Sequence, residues 1–509
     1  MALVDSMETA LDDALDDAPE GTRTGLVLAA VAVTLLFASL GQTIVSTALP
    51  TIVADLGGLD HITWVITAYL LASTVSAPIC GKLGDMFGRK IVIQSAIGIF
   101  LAGAVIAGLA QNMAMMVLGR AVQGLGGGGL IVVSMAEVAD VLPARERGRA
   151  QGLLGGVFGV STVIGPLIGG LLVQNLSWHW IFFVNVPVAV VALIVLGVAL
   201  AHPKARRAHR IDDAGAGLLA AVLSAAVQLS SLSKTLGWTS YGMLALLAGL
   251  ALALAAFVAV ERRAEAPILP LFRINTVLVV NSVSFLVGFA MFGTITFMPL
   301  FLQVVQQVSP TASGLFLMPM MAGLLAGSIG AGQVMARTGR YKVMPVASTA
   351  VLALGLFLLS RLSPQTPLWR IAGCMALVGF GIGPVMSVGV AAIQNAVPVS
   401  MMGVGTASAN MFRLIGGSIG TSIFGAMFSA GLASRLAGML PDGTGGGPSA
   451  ISPAVVASLP PQAQEAVRLG FTQALHPIFL VASVCGLVAV SLSLLLREVP
   501  FSTTLPERP

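Results

Sequence analysis

Fourteen stretches of this chain are apolar for long enough to cross a lipid bilayer, and that limits its fold more than any other feature. They lie at about 25–52, 62–81, 91–111, 113–141, 150–174, 180–200, 214–233, 241–260, 277–302, 313–335, 343–362, 369–394, 405–430 and 474–496. A helical span needs about 20 apolar residues. In lipid each backbone N–H and C=O must be satisfied within the segment, so runs of this kind fold as helices. Composition agrees: 56% of the 509 residues are hydrophobic and 9% are charged, where a soluble domain carries about 25% charged residues. A soluble enzyme, a nucleic-acid binder and a disordered scaffold are excluded, and an all-α integral membrane protein is expected.

The bases set the expected orientation. With the N-terminus in the cytoplasm, the connections and tails on that side hold nineteen Lys and Arg and the opposite side holds five; Arg120 and Arg413 fall inside spans. That asymmetry predicts an even number of spans with both termini cytoplasmic. The N-terminal segment lacks the basic start of a signal peptide. It is acidic instead, with seven Asp and Glu before Arg23, and is read either as a solvated tail or as a segment that docks on the basic loops. Cys80, Cys374 and Cys485 are too scattered for a disulfide framework or a metal site.

An internal repeat divides the chain. Gly81-Lys-Leu-Gly-Asp85-Met-Phe-Gly88-Arg89-Lys90 follows the second span, and Gly332-Gln-Val-Met-Ala336-Arg337-Thr-Gly339-Arg340 follows the tenth. In both, Gly-Arg stands seven and eight residues after the first glycine. Gly165-Pro166-Leu-Ile-Gly169 in span five is echoed by Gly416-Gly417-Ser-Ile-Gly420 in span thirteen. Spans one to six therefore match nine to fourteen. The expected units are an acidic tail (1–24), a six-helix bundle (25–200), an inserted pair of helices with basic flanks (201–274), a second six-helix bundle (275–496) and a short tail (497–509). Within the second bundle the long connection 431–473 is expected outside, as a passive linker or as a cap over the exit of a pathway. Half-repeats of this kind mark transporters, with the substrate site at the repeat interface.

Five motifs carry a family resemblance over essentially the whole chain. The loop Gly81–Lys90 resembles the signature between helices two and three of the major facilitator superfamily. Arg120-Ala-Val-Gln-Gly124 is similar to its fourth-helix motif. Gly152, Ser161, Gly165, Pro166, Gly169 and Gly170 resemble the antiporter motif of helix five, with Ser161 where glycine is usual. Trp178-His-Trp180-Ile-Phe-Phe-Val-Asn185-Val-Pro187 and Thr43-Ile-Val-Ser-Thr-Ala-Leu49-Pro50 look like the fourteen-helix drug:proton antiporter subfamily, the multidrug or quaternary-ammonium exporter type. The resemblance implies a major facilitator fold of two six-helix bundles plus two linker helices, in a bacterial inner membrane. It also implies transport by rocking of the halves, with the proton gradient in place of any cofactor.

On that reading Gly81, Asp85, Gly88, Arg89 and Lys90 form a conformational latch. Asp85 can pair with Arg89 or with Arg145, Arg147 and Arg149, or sit at the N-terminus of span thirteen, where the helix dipole favours an anion. Ala336 replaces the acid in the second copy, so the latch is expected to be asymmetric. The glycines of span five let another backbone approach, and Pro166 introduces a kink. An arginine at membrane depth costs about 2.5–3.5 kcal/mol or more, so Arg120 and Arg413 must face a wet cavity or a partner, in a structural role or in coupling.

The acids matter by their absence. Subfamily members generally carry an aspartate in helix one before the Thr-Ile-Val run, and Gly41 stands there in this chain. A carboxyl at membrane depth is the usual proton carrier, because desolvation lifts its affinity for the proton. Coupling is then left to Glu137, Asp85 or His476, or is absent. Glu137 can equally be held by Arg145, and His476, before Pro477, can be structural. The expected cavity lining is Gln42, Ser46, Trp64, Tyr69, Gln123, Asn281, Phe285, Phe289, Phe292, Met298, Met318, Asn410 and Arg413, since aromatic and Met side chains adapt to varied apolar ligands.

The leading expectation is an exporter of amphipathic small molecules by proton antiport, acting among membrane lipids as a monomer, with a dimer as the alternative, and with no metal and no nucleic-acid partner. A facilitator or lipid transporter of the same fold without proton coupling is the rival. An intramembrane enzyme would need paired aspartates, a Ser–His couple or a metal cluster at depth, and the sequence offers none. No G-x-x-x-x-G-K-[ST] loop is present for ATP.

Overall fold

In a computed structural model the described residues are 20–56, 62–199, 240–261, 269–308, 310–398, 401–436 and 461–498, with isolated positions between 218 and 229. The acidic tail and the expected seventh span fall almost wholly outside them. The long helices are α1 Glu20–Thr43, α2 Ile62–Phe87, α3 Arg89–Gly108, α4 Met113–Val141, α5 Ala144–Asn175 and α6 Asn185–Ala199. They continue as α7 Tyr241–Glu261, α8 Asn275–Val304, α9 Met318–Thr338, α10 Val343–Leu359, α11 Leu368–Ala396, α12 Met402–Leu436 and α13 Pro461–Leu494. Among the described residues ten helices are long and apolar enough to cross a membrane, and two shorter apolar helices accompany them. Helix α7 packs least, with Leu252 71% exposed. An all-apolar helix left uncovered by protein is one that lipid covers.

Three boundaries differ from the sequence expectation. The first span does not run on to residue 52, because α1 ends at Thr43 and tightens into a 3-10 turn, Ile44–Thr47, before a short helix, Leu49–Leu56. The cause is a neighbour: Thr43 Oγ1 donates to Ser161 O on α5 at 3.1 Å as well as to Ser39 O of its own helix. The connection 431–473 is helical at both ends, because α12 runs on to Leu436 and α13 starts at Pro461, well before the apolar run at 474. The sixth span is broken: Asn185 Nδ2 donates to Ile181 O and Phe182 O, closing the short helix Trp180–Phe183 before α6 starts.

Buried side chains of α1–α6 form two apolar clusters and those of α8–α13 form one, which Ala139 of α4 joins. The turns α2–α3 and α9–α10 lie at one end of the bundle, here termed the basic end after Arg89, Lys90, Arg337 and Arg340. Both turns need a residue at positive φ, and both supply glycine: Gly88 at φ 93° before Arg89, and Gly339 at φ 67° before Arg340. The repeated Gly-Arg is thus a backbone requirement, met twice.

At this end the halves touch backbone to backbone. A Cβ on Gly81 would stand 2.8 Å from Gly403 O, and one on Gly332 would stand 2.5 Å from Gly148 O. The first glycine of each repeat therefore marks where its helix crosses the opposite half, α2 on α12 and α9 on α5. Ala77, Val132 and Ala407 pack together beside the first crossing, where α2, α4 and α12 meet. Replacing Gly332 or Gly81 with valine should force the basic end apart. Overpacking costs about 1–3 kcal/mol, so in a variant lacking the three native cysteines, a cysteine at Ala77 should react with a polar maleimide roughly tenfold faster. Unchanged labelling would mean that these crossings do not hold the end shut.

Candidate functional site

The latch residues assemble where α2, α4 and α12 meet. Arg89 is 5% exposed; its Nε and Nη2 donate to Asp140 at 2.6 and 3.3 Å, and Nη2 reaches Asp85 at 3.4 Å. Glu137 Oε2 lies 3.9 Å from Arg89 Nε. Asp85 Oδ2 also accepts from the backbone N–H of Gly403 at 2.8 Å, in the first turn of α12. Asp85 thus uses both the basic side chain of its own loop and a helix N-terminus of the opposite half, where donors are unsatisfied and the dipole is positive. In the second repeat Ala336 stands in the place of Asp85, so that position offers no carboxylate to its crossing.

A second set of polar contacts crosses the halves beside this one. Buried Arg147 donates to Leu142 O and Ala139 O, and across the interface to Gln394 O on α11 at 3.4 Å. Gln394 Nε2 donates back to Met135 O on α4 and to Thr406 Oγ1 on α12, both at 3.1 Å. Gln151 Nε2 donates to the same Met135 carbonyl at 2.9 Å. Gln394 and Gln151 are not among the site residues expected from sequence, and Arg147, an expected partner for Asp85, is held by carbonyls instead. An isolated glutamine inside the apolar run of span twelve was the available signal, since a buried amide must find partners.

Helix α5 has two working faces. Toward the second half, a Cβ on Gly152 would meet Ser328 O at 2.7 Å, and Gly159 faces Met321 Sδ at 3.5 Å. Toward α1, Gly165 leaves room for Thr43, and the Ser161 hydroxyl folds back onto Val157 O at 2.8 Å, so it takes little space. Gly169 is buried. Gly170 departs from the close-approach expectation, with nothing within 4 Å of a Cβ there, because that side of the helix carries no packed neighbour. The side chains of Pro166 and Ser46 lie outside the described residues.

Arg120, the eighth residue of α4, is 1% exposed. Its Nε donates to Val65 O at 3.1 Å and Nη1 to Gly41 O at 3.0 Å and to Gln123 Oε1; its carbon lies 4.3 Å from the centroid of the Tyr69 ring. Tyr69 donates in turn to Ala38 O at 3.1 Å. On the other half, Arg413 donates to Asn410 Oδ1 and reaches Met386 Sδ at 3.4 Å. The two arginines thus anchor different helices.

Several expected lining residues have other roles. Met298 is fully buried in the second-half core. Met318 is 48% exposed at the start of α9, on the flank rather than inside. Asn281 bonds Ser408 at 3.1 Å, tying α8 to α12. Phe289 stacks edge-on against Phe424 at 4.7 Å. His476 Nε2 donates to Leu362 O at 2.6 Å, which holds α13 to the end of α10 away from the other half. Gln42, Trp64, Phe285 and Phe292 are half-buried, Phe292 against the second-half core. Among the described residues no group of His, Cys, Asp or Glu is placed to hold a metal.

Two pseudo-equivalent helix crossings, a carboxylate on a helix N-terminus and buried arginines are the parts of a two-state bundle. A family model described as Major Facilitator Superfamily matches residues 31–421. The chain belongs to the Major Facilitator Superfamily. Over 485 residues it is 42% identical to the uncharacterized MFS-type transporter Rv1877 of Mycobacterium tuberculosis, covering 94% of this chain and 70% of that protein. It is 38% identical to the multidrug transporter protein MdtP of Bacillus subtilis over 410 residues, 80% of this chain and 75% of that one. The solved structure of the human organic anion transporter MFSD10 superposes with a TM-score of 0.63 at 15% identity, over 94% of this chain and all of that one, which bears on the fold alone. This protein is therefore a membrane-spanning transporter of the superfamily.

Asp85→Asn keeps an acceptor for Gly403 N–H but removes the charge. A hydrogen bond to a charged group contributes about 1.5–3 kcal/mol, so the basic-end-closed population should fall by roughly tenfold or more. Spin labels on α2 and α12 should report that shift as a longer distance distribution. An unaltered distribution would show that the carboxylate does not secure the crossing.

Proposed function

We propose that this transporter exports amphipathic small molecules from the cytoplasm by alternating access, in exchange for protons, and that it is of the fourteen-helix antiporter type. The observation that carries this reading is closure at the basic end, where Asp85 sits on the first turn of α12 beside the Gly81–Gly403 crossing. With that end cytoplasmic, as the basic loops favour, the present conformation is the one closed toward the cytoplasm. The latch would release as the substrate is taken up from inside and reform as it leaves. The multidrug relative supports the substrate class.

In this reading the proton rides on the acidic cluster rather than in helix one. Glu137 is the outermost of three carboxylates around one guanidinium, at 3.9 Å from Arg89 where Asp140 is at 2.6 Å. Protonating it leaves the strong pair intact. One charge crossing 100 mV supplies about 2.3 kcal/mol. The second reading, a facilitator without coupling, is favoured by Gly41.

Reconstituted protein with entrapped pyranine separates the two. Antiport predicts substrate-dependent proton movement and efflux that rises several-fold under an imposed pH gradient. Glu137→Gln should abolish that response while leaving gradient-independent exchange. Efflux indifferent to the gradient in the unmodified protein would make it a facilitator.

A further inference from the structure

The group around Arg120 is rich in donors and lacks an acid. Arg120 and Gln123 are 1% and 0% exposed. Nε and Nη1 of the guanidinium are taken up by Val65 O, Gly41 O and Gln123 Oε1, while Nη2 donates to none of the described residues. No carboxylate pairs with Arg120 among them. Gln123 turns its oxygen to the arginine, which fixes the amide, and its Nε2 is then left buried without an acceptor. That nitrogen is on the side of Gly41: a Cβ at position 41 would stand 3.4 Å from it. The first-half acids whose side chains are described lie elsewhere, and Glu146 is exposed in the first turn of α5. Asp85, Glu137 and Asp140 surround Arg89 at the basic end, and Asp55 accepts from Trp178 Nε1 near the other end.

We propose that Arg120 Nη2 and Gln123 Nε2 receive the anionic head of the transported molecule, so that this transporter takes amphipathic organic anions, carboxylates above all. This rests on the export reading and names its substrate. An orphaned buried donor costs about 1–3 kcal/mol, and an arginine at membrane depth costs more than that. A carboxylate answers both, because it brings one negative charge and two acceptor oxygens, one for Nη2, the guanidinium nitrogen whose hydrogens are not taken up, and one for Gln123 Nε2. A cationic substrate would set like charge against Arg120, and a neutral one would satisfy the hydrogen bonds and leave the charge. Gly41 brings no side-chain acceptor to the pair and offers only its carbonyl. Phe100 packs over Gly41 and Tyr69 lies under the guanidinium, sealing the group in the present conformation.

The test uses the full chain in lipid nanodiscs and three tritiated probes with one ring system: 2-naphthoate, 2-naphthamide and 2-naphthylmethylammonium. The naphthoate should bind saturably and roughly tenfold tighter than the other two, a difference of about 1.4 kcal/mol. Arg120→Gln should remove that preference and leave the amide and the cation within about twofold; Arg120→Lys should restore part of it. Should Arg120→Gln fail to fold, Gln123→Leu, which keeps the cation and removes the amide, should weaken naphthoate binding selectively. Gly41→Asp, which supplies an internal carboxylate, should exclude naphthoate more strongly than the isosteric Gly41→Asn. Equal affinity for the three probes, or a loss common to all three in Arg120→Gln, overturns the proposal. Export is judged separately by flux. A protein that moves the cation or the amide but shows no anion preference keeps export and loses this site, and one that binds naphthoate yet moves none of the three does the reverse.

Discussion

Where two helices of opposite halves cross without side chains between them, their backbones come into direct contact, and the rest of this molecule is arranged around two such places. In a bilayer the hydrophobic effect does not drive helices together, so close packing and polar contacts must. Gly81 against Gly403 and Gly332 against Gly148 supply the packing. The polar contacts gather within reach of them: Asp85 on Gly403 N–H, Arg147 on Gln394 O, and Gln394 and Gln151 on one carbonyl of α4. The bonds of Asp85, Arg147 and Gln394 cross between the halves, need the crossing to be tight and would be broken by the same separation, while Gln151 braces the shared carbonyl from within the first half. The closed end is therefore cooperative, with the acid of the first repeat adding to one crossing what Ala336 withholds from the other.

Charge is distributed with the same economy. The buried acids around Arg89 are at the end of the bundle, where water is near and the cost of holding ions is lower, and they form one compact network. Deeper in, the ionised groups are arginines, which remain charged in any environment and so must be solvated by the protein itself. Arg120 is solvated by carbonyls, an amide oxygen and an aromatic face in place of a carboxylate. That arrangement holds the cation in place and leaves its field uncancelled.

Much of this was legible in the sequence, for physical reasons. Lipid permits few backbone solutions, so apolar runs located most helices to within a few residues. The positive φ of Gly88 and Gly339 made the repeat visible. Less legible was whatever depends on a neighbour. The break in α1 at Thr43 is set by a carbonyl 118 residues away, and the helical start of α13 at Pro461 lies outside the strongly apolar part of its span. At the site, Asp85 and Arg89 were recognisable from their motif, and the alternatives for Asp85 reduced to two that the structure uses together. Met298 and Met318 show the opposite limit: a flexible apolar side chain looks the same in sequence whether it fills a core, faces lipid or lines a cavity. Gln394 was overlooked because a single amide carries little periodic signal, although burial makes its hydrogen bonds costly to lose.

Helices α12 and α13 have 35 and 34 residues, which at about 1.5 Å per residue makes each close to 50 Å long. A bilayer's apolar core is about 30 Å thick. The surplus of α13 lies at the end opposite the latch, where Arg468 is bonded to Val305 O and Phe471 stacks on Phe428. These bonds fix the overhang to the second half as a rigid mast. A small tilt of that half about the membrane centre would become a larger sweep at its tip, so the overhang is a natural amplifier of the motion and the best place to watch it.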